Sequence, residues 1–381
     1  MTLSEELRAR GFVQEHTGDL ADVLDGEHRV VYHGIDPSAD SAHAGNMAVW
    51  VLLKHLKNAG HNIVFLVGGG TGMIGDPKPD AERTLQEETV VAKNVENIKK
   101  QAARIFGDDG VMFVNNADWL LEQKLVAFLR DIGKHFTVNE LVKKDAIASR
   151  MKSNEGISYT EFAYPILQAF DYLQLHQSHN CTLQVGGSDQ WGNIVAGVDL
   201  IRRKTKEVVH ALTVPLVTDK ATGKKFGKSE GNAVWLDAKK TSPYDFYQFW
   251  FNTSDENVVP YLKLFTFLSL DEIADIEKEV AENPSGRHAQ KRLAEEVTKF
   301  VHGDSVTLET PSHKVKRGTS VVDVLVEGGL AKSKREARTF IEDGAVTLNG
   351  ERIKDVDAEI SEGVLQRGKR KQNQIAIELD S

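Results

Sequence analysis

One cysteine in 381 residues, Cys181, excludes an internal disulfide framework and fits a reducing compartment. No stretch approaches the roughly 18 apolar residues that a membrane span needs. The opening segment MTLSEELRARGF reads as the start of an amphipathic helix. It lacks the apolar core of a signal peptide and the acid-poor character of a transit peptide. The expectation is a cytoplasmic protein with no membrane partner. No zinc-ligand cluster, internal repeat or low-complexity tract is present, so no protein-bound metal and no repeat architecture is expected.

Positive charge is not in excess either. A net charge of −9 argues against sequence-blind coating of nucleic acid. It leaves room for a local basic patch, because the Debye length at physiological salt is only about 8 Å. Residues 314–381 hold 13 Lys and Arg against 12 Asp and Glu, so the acidity belongs to the rest of the chain. The C-terminal stretch is where an anionic partner is expected.

What is present is ordinary for a globular protein: 40% apolar and 27% charged residues. The length exceeds one compact core and calls for two or three domains. The first half alternates strand and helix patterns. Residues 29–33, 63–67, 111–114 and 182–185 read as strands, and 44–58, 87–106, 120–132 and 158–175 as helices, with another helix from Asp189. This alternation predicts an α/β fold, a Rossmann-type doubly wound parallel sheet, over residues 1–232. From Ser242 the pattern turns helical at 243–251, 256–265, 270–282 and 287–301, giving a helical domain over 233–302. Residues 303–317 read as a linker. Residues 318–381 read as a small α/β domain with a hairpin turning at Asn349-Gly350.

Three segments carry candidate chemistry. Gly70-Thr-Gly72-Met-Ile-Gly75 matches a dinucleotide fingerprint, yet Asp76-Pro77-Lys78-Pro79 follows where that fingerprint needs a helix. A loop at the carboxyl end of a parallel strand is still a ligand position, and Asp76 would bring a carboxylate there. Gly223-Lys-Lys-Phe-Gly227-Lys228-Ser229 has three residues between its glycines instead of the phosphate loop's four. Its lysines nevertheless suit triphosphate oxygens as point charges. Asp36-Pro-Ser38 through His43-Ala-Gly45-Asn46 follows the first strand and opens a helix, whose N-terminus offers N–H groups to anions. Taken singly, each also reads as a plain structural feature: a tight loop, a solvated hairpin turn, a capping histidine.

Together these segments resemble a known family. His43-Ala-Gly45-Asn46 resembles the His-Ile-Gly-His motif of class I aminoacyl-tRNA synthetases, and Lys225-Phe-Gly-Lys228-Ser229 their Lys-Met-Ser-Lys-Ser motif. The segments 67–77, 164–171 and 184–193 are similar to those of bacterial tyrosyl-tRNA synthetases. The likeness runs from about Leu7 to Gly303 and again from about Lys316 to Lys371.

The resemblance implies ATP-dependent activation of L-tyrosine and its transfer to tRNA(Tyr), with Mg²⁺ arriving on ATP. It implies catalytic roles for Ser38, His43, Lys225, Lys228 and Ser229. Tyr164, Gln168 and Asp76 would hold the α-ammonium group, Tyr32 and Asp171 the phenol, and Gln190 the aminoacyl-phosphate region. Asp189 would contact the ribose, with His33, Asp36, Gly45, Asn46, Gly187 and Lys228 completing the ATP site. Independently of the family, Tyr164, Gln168 and Asp171 stand at i, i+4 and i+7, on one face of a helix. That helix is otherwise apolar, so buried polar groups on it need partners.

The C-terminal domain resembles a small RNA-binding fold shared by a ribosomal protein and pseudouridine synthases. Lys332, Lys334, Arg335 and Arg338, with Lys369, Arg370 and Lys371, would contact tRNA phosphates. A homodimer is a family implication, and residues 128–142 could serve as core or as interface. The chain departs from the family pattern at Asn46, where a His is usual, and at His33, where relatives often have a smaller residue. Its stretch before Gly318 is also shorter. Three other readings stand beside this one: a tryptophanyl-tRNA synthetase, an RNA-binding homologue without catalysis, and an NAD-dependent oxidoreductase.

Overall fold

A computed structural model describes residues 1–78, 81–152, 156–218, 226–229, 232–283, 286–306, 312–368 and 374–380. Its contacts form two compact units. The first comprises 1–237 and 254–289, the second 238–253 and 290–381.

The first unit is built on a six-stranded sheet: β1 (Glu15–His16), β2 (Val30–Ile35), β3 (Asn62–Val67), β4 (Val111–Asn115), β5 (Cys181–Gly187) and β6 (His210–Val214). The spatial order is β1-β6-β5-β2-β3-β4. All neighbours run parallel except β1, which pairs antiparallel with β6. Side chains alternate across the sheet. On β3, Val64 and Leu66 join the core with Ile166, Ala169 and Leu173 of the helix Tyr159–His179 and Leu200 and Ile201 of the helix Trp191–Thr205. Phe65, between them, packs edge-on against Trp50 and beside Phe106, from the helices Met47–Asn58 and Glu88–Phe106. Helices thus cover both faces, as expected of a doubly wound sheet. The chain moves outward one way through β2, β3 and β4, then returns to start β5 on the other side of β2. The carboxyl ends of β2 and β5 therefore flank a topological switch point, where such sheets bind ligands.

Two elements differ from the sequence reading. Residues 120–132 form two short helices, Ala117–Leu120 and Leu125–Asp131, because Gln123-Lys124 leaves helical geometry at Lys124. Strands β1 and β6 carry too few alternating residues to stand out in the sequence.

The helices read as one domain, 233–302, divide between the units. Asp255–Phe265 and Leu270–Glu282 belong with the sheet. Arg10 fastens them there, donating to Thr266 O at 3.4 Å and Leu268 O at 2.7 Å. Pro243–Phe251 and His288–His302 group with the second unit, where Phe246 meets His302 edge-on. Two short strands, β7 (Lys228–Ser229) and β8 (Asn232–Ala233), pair antiparallel in the first unit.

The second unit carries a five-stranded sheet: β9 (Ser312–Lys316), β10 (Val346–Leu348), β11 (Glu351–Arg352), β12 (Gly363–Arg367) and β13 (Gln374–Asp380). Their order is β11-β10-β12-β13-β9. The reading of 303–317 as a linker needs correction, since β9 lies inside it and pairs parallel with β13. Its strand signal is faint: only Val315 faces the core, between lysines. That core also holds Leu325, Ala337, Ile341, Val346, Leu365 and Ile377. The β10–β11 hairpin turns at Asn349-Gly350, as the sequence suggested. Among the described residues no helix is long and apolar enough to cross a membrane.

Candidate active site

Six polar side chains form one continuous chain of hydrogen bonds beside the switch point. Asp36 follows β2, and its Oδ2 accepts from the Tyr164 hydroxyl at 2.6 Å. Its Oδ1 accepts from the Thr71 hydroxyl at 2.7 Å. Thr71 Oγ1 accepts in turn from Asn116 Nδ2 at 2.9 Å, and the same amide donates to Asp171 Oδ2 at 2.9 Å. Trp119 Nε1 closes the far end, donating to Asp171 Oδ1 at 2.7 Å. The glycine run after β3 makes this possible. A Cβ on Gly68 would sit 2.3 Å from both Asp36 Oδ1 and Thr71 Oγ1. The glycines therefore serve close side-chain packing, and the turn continues as a short 3-10 helix, Thr71–Met73, not as a long pyrophosphate-binding helix.

A second network surrounds Asp76. Its carboxylate accepts from Gln190 Nε2 at 2.8 Å and Asn193 Nδ2 at 3.2 Å, both at the start of the helical segment after β5. On the helix Tyr159–His179, Gln168 Oε1 is buried with no partner among the described residues. The Tyr164 hydroxyl donates to Asp36, so its oxygen has lone pairs left to accept. Tyr164, Gln168 and Asp76 thus offer acceptors suited to a group with several N–H donors, such as an ammonium.

The electrostatics point the same way. Burial pushes the Asp171 carboxyl up to about 7, against the lowering effect of Asn116 and Trp119. Burial also raises Asp76, to about 6, with Asp36 adding to the rise and Gln190 opposing it. Asp36 is raised by burial too, offset by its bonds from Tyr164 and Thr71. Three carboxyls that are costly to ionise form a site whose free energy falls when a cation enters. Tyr32 on β2 is buried, and its hydroxyl is pushed well above its ordinary range by burial and by the negative field of Asp171. The two residues expected to read a phenol are therefore neighbours.

The side that carries the residues expected to meet a nucleotide is more open. His43 caps the 3-10 turn Ala44–Asn46; its Nδ1 accepts from Gly45 N at 3.0 Å, which leaves Nε2 as the protonated nitrogen and a donor. Asn46 Oδ1 accepts from His43 N at 3.0 Å, which fixes the orientation of its amide. The two signature motifs meet through backbone. Gly227 has φ +87°, and a Cβ there would lie 2.6 Å from Gly45 N. Val234 links both, accepting from Ala44 N at 2.8 Å and donating to Gly227 O at 3.0 Å. Lys228 and Ser229 lie in β7, so the strand starts one residue from that contact; their side chains, and all of Lys225, lie outside the described residues.

Ser38, Gly45 and Asp189 are exposed, and Gly187 ends β5 just before Asp189. His33 is buried; Nδ1 donates to Val185 O at 3.3 Å, and burial lowers its pKa to about 4. It is neutral at pH 7, and its Nε2 is an acceptor.

Four participants escaped the sequence reading: Thr71, Asn116, Trp119 and Asn193. Asn116 follows β4 at the carboxyl edge of the sheet, a position that would have flagged it. Arg83 is a fifth. Its Nε donates to Asp76 O at 2.7 Å, and its charge lowers Asp36. Lys144 stands near Asp76, donates to Gly192 O, and is lowered by burial to about 8.

In the second unit Lys332, Lys334, Arg335 and Arg338 are all exposed on or beside the helix Lys334–Glu342. Lys334 is ion-paired with Asp323 at 2.6 Å. Lys369, Arg370 and Lys371 lie outside the described residues.

Known proteins share this sequence and architecture. Residues 25–313 match the family described as tRNA synthetases class I (W and Y), and residues 304–373 match the tyrosine–tRNA ligase SYY-like C-terminal domain. The tyrosine–tRNA ligase of Leuconostoc mesenteroides is 45% identical across 97% of this chain and 98% of its own length. That of Streptococcus mutans is 46% identical across 97% and 99%. A C-terminally truncated mitochondrial tyrosyl-tRNA synthetase of Coccidioides posadasii matches with a TM-score of 0.69 at 31% identity, over 80% of this chain and 89% of that one.

Proposed function

The chain belongs to the class I tRNA synthetases of the tryptophan and tyrosine family, and from that premise we propose that it is a tyrosine–tRNA ligase working in the cytoplasm. One observation carries the choice of amino acid. Tyr32 and Asp171, a hydroxyl and a carboxylate, adjoin each other on the strand and helix that frame the acceptors Tyr164 and Gln168. Tyr164 and Asp171 are two helical turns apart, about 10 Å along the axis. That span suits an amino acid with an ammonium at one end and a phenol at the other. An indole N–H can donate to Asp171 as a phenol does, but it has no oxygen to accept from the Tyr32 hydroxyl.

The tyrosine carboxylate attacks the α-phosphate of ATP. A bond forms between carboxylate oxygen and phosphorus, and the bond to pyrophosphate breaks. The substrate brings its own nucleophile, so catalysis rests on positioning and on donors aimed at the leaving charge. His43 Nε2–H, Ser38 and the lysines Lys225 and Lys228 with Ser229 fill that role. Asp189, His33, Gly45, Gly187 and Asn46 hold the nucleoside; Gln190 holds the aminoacyl-phosphate region. Magnesium enters on the triphosphate, since it favours phosphate and water over a protein cage. The tyrosyl group then passes to the terminal ribose of tRNA(Tyr). Arg335, Arg338 and their basic neighbours bind its phosphates, and each lost contact should flatten the log–log salt dependence of binding by roughly 0.7–0.9.

The protein works as a homodimer. Leu121, Leu125, Val126, Leu129 and Val138 are 44–77% exposed within one short stretch. Scattered apolar exposures are common, but a cluster of this density marks an interface. Val126→Glu should yield monomers in sedimentation; an unchanged dimer would place the interface elsewhere. The function itself is tested by ATP–pyrophosphate exchange with each amino acid in turn. Exchange with tyrosine is expected. Exchange with tryptophan instead, or with none, would overturn the reading.

A further inference from the structure

We propose that Arg150 and Glu161 are positioning residues for ATP: a buried ion pair that clasps the segment after Asp76 onto the helix carrying the tyrosine-binding groups. This rests on the tyrosine–tRNA ligase reading. Both side chains are 2% exposed, and Arg150 Nη1 lies 3.2 Å from Glu161 Oε1. Arg150 is not a simple partner in a pair. Its Nη1 also donates to Ala81 O at 2.6 Å and, more loosely, to Lys78 O at 3.4 Å, while Nε donates to Gly156 O at 3.1 Å. Glu161 Oε1 accepts a further bond from Arg83 N at 3.2 Å. The segment that follows Asp76 is therefore gripped at Lys78, Ala81 and Arg83 by two buried charges.

The grip has a direction. Glu161 occupies the first turn of the helix Tyr159–His179, capped by Ser158. Tyr164 follows three residues later on the same rigid element, so the clasp sets the segment in register with the tyrosine site. The segment carries the cations Lys78 and Arg83 within a few residues of Asp76. Arg83 already reaches Asp76 O through Nε, and its terminal nitrogens have no partner among the described residues. Asp76 itself is held independently, through its carboxylate, by Gln190 and Asn193. Loosening the clasp therefore displaces cations that meet a polyanion and leaves the ammonium site anchored. A buried ion pair is poor evidence of stabilisation, because desolvation offsets the attraction. Such a pair persists here in contact with three backbone groups of one ligand-facing segment.

The test replaces both partners with apolar residues, Arg150→Met with Glu161→Leu, so that no buried charge is left unpaired. In the full chain, KM for ATP in pyrophosphate exchange should rise at least tenfold, while tyrosine affinity by equilibrium dialysis stays within twofold. Hydrogen exchange at the Arg83 amide should accelerate. Arg150→Lys, which keeps the charge but loses the fork, should show the same ATP-selective change at smaller size, and it serves alone if the double variant does not fold. A folded variant with unchanged KM for ATP would overturn the proposal, as would an equal loss of tyrosine affinity. Wild-type protein in the same assay separates the two readings. If it exchanges nothing with tyrosine, the ligase reading fails, and the hydrogen-exchange result still decides whether the clasp holds the segment.

Discussion

At the proposed tyrosine end of the crevice, Tyr164, Asp76 and Asp171 are hydrogen-bonded at 2.6–3.2 Å, Tyr164 to Asp36, which was expected on the ATP side. At the proposed nucleotide end, Ser38, Gly45 and Asp189 are exposed, and Gly227 of the Lys228 motif packs on the backbone of Gly45. The first end is a fixed template, in which a misfit substrate strands buried polar groups. The second is a set of donors that gain their value when phosphate charge moves. On the proposed assignment, selectivity is preorganised at the amino-acid end and rate enhancement is concentrated at the pyrophosphate end.

Substitutions should separate these ends by which parameter they move. The largest effect is expected from Lys228→Ala. It should slow adenylate formation by about 10²–10³-fold in single-turnover assays, with tyrosine affinity barely changed. Weak tyrosine binding with normal activation would erase the distinction between the ends. Next is Tyr164→Phe, which removes a donor from Asp36 and an acceptor from the ammonium. Hydrogen bonds to charged groups contribute about 1.5–3 kcal/mol, so tyrosine affinity should fall roughly 10–100-fold, and KM for ATP should hold steady.

The pH profile gives a third test. The ammonium needs Asp76 ionised, and this carboxyl titrates near 6 in the folded protein. As pH falls through that value the charge is lost, so kcat/KM for tyrosine should drop by about tenfold per unit below pH 6. Asp76→Asn should flatten the profile at a low plateau; a persisting inflection would assign the titration to another group. Smallest is Tyr32→Phe. One neutral hydrogen bond is worth about 0.5–1.5 kcal/mol, so the tyrosine-to-phenylalanine preference should shrink roughly 2–10-fold. An unchanged ratio would leave Asp171 as the sole reader of the phenol.

Much of this organisation is legible in the sequence for identifiable reasons. Periodicity finds the helices Pro243–Phe251 and Leu270–Glu282 residue for residue, because each begins with a serine cap and keeps a regular apolar spacing. Tyr164, Gln168 and Asp171 are found because one helix displays them. Asn116, Thr71 and Trp119 are not, since they reach Asp171 and Asp36 across 35–55 residues of chain and stand in ordinary loop or short-helix sequence. Arg150 and Glu161 look like surface charges of amphipathic helices, and only burial distinguishes them. β9 hides for the opposite reason: a strand at a sheet edge needs one buried valine and little else.

That edge strand bears on how the protein is made. β13 (Gln374–Asp380) lies between β12 and β9, and it follows β9 (Ser312–Lys316) far along the chain. A ribosome that has already released β9 must still deliver the rest of the C-terminal domain before β9 finds its partner. At roughly 5–20 residues per second this takes several seconds. The sheet in the first unit has all its strands by Val214, so it is complete in sequence long before then. The growing chain should therefore be able to shape its tyrosine site while the RNA-binding sheet is still open. A nonsense codon just before β13 would strand β9 without a neighbour and leave the adenylating machinery standing.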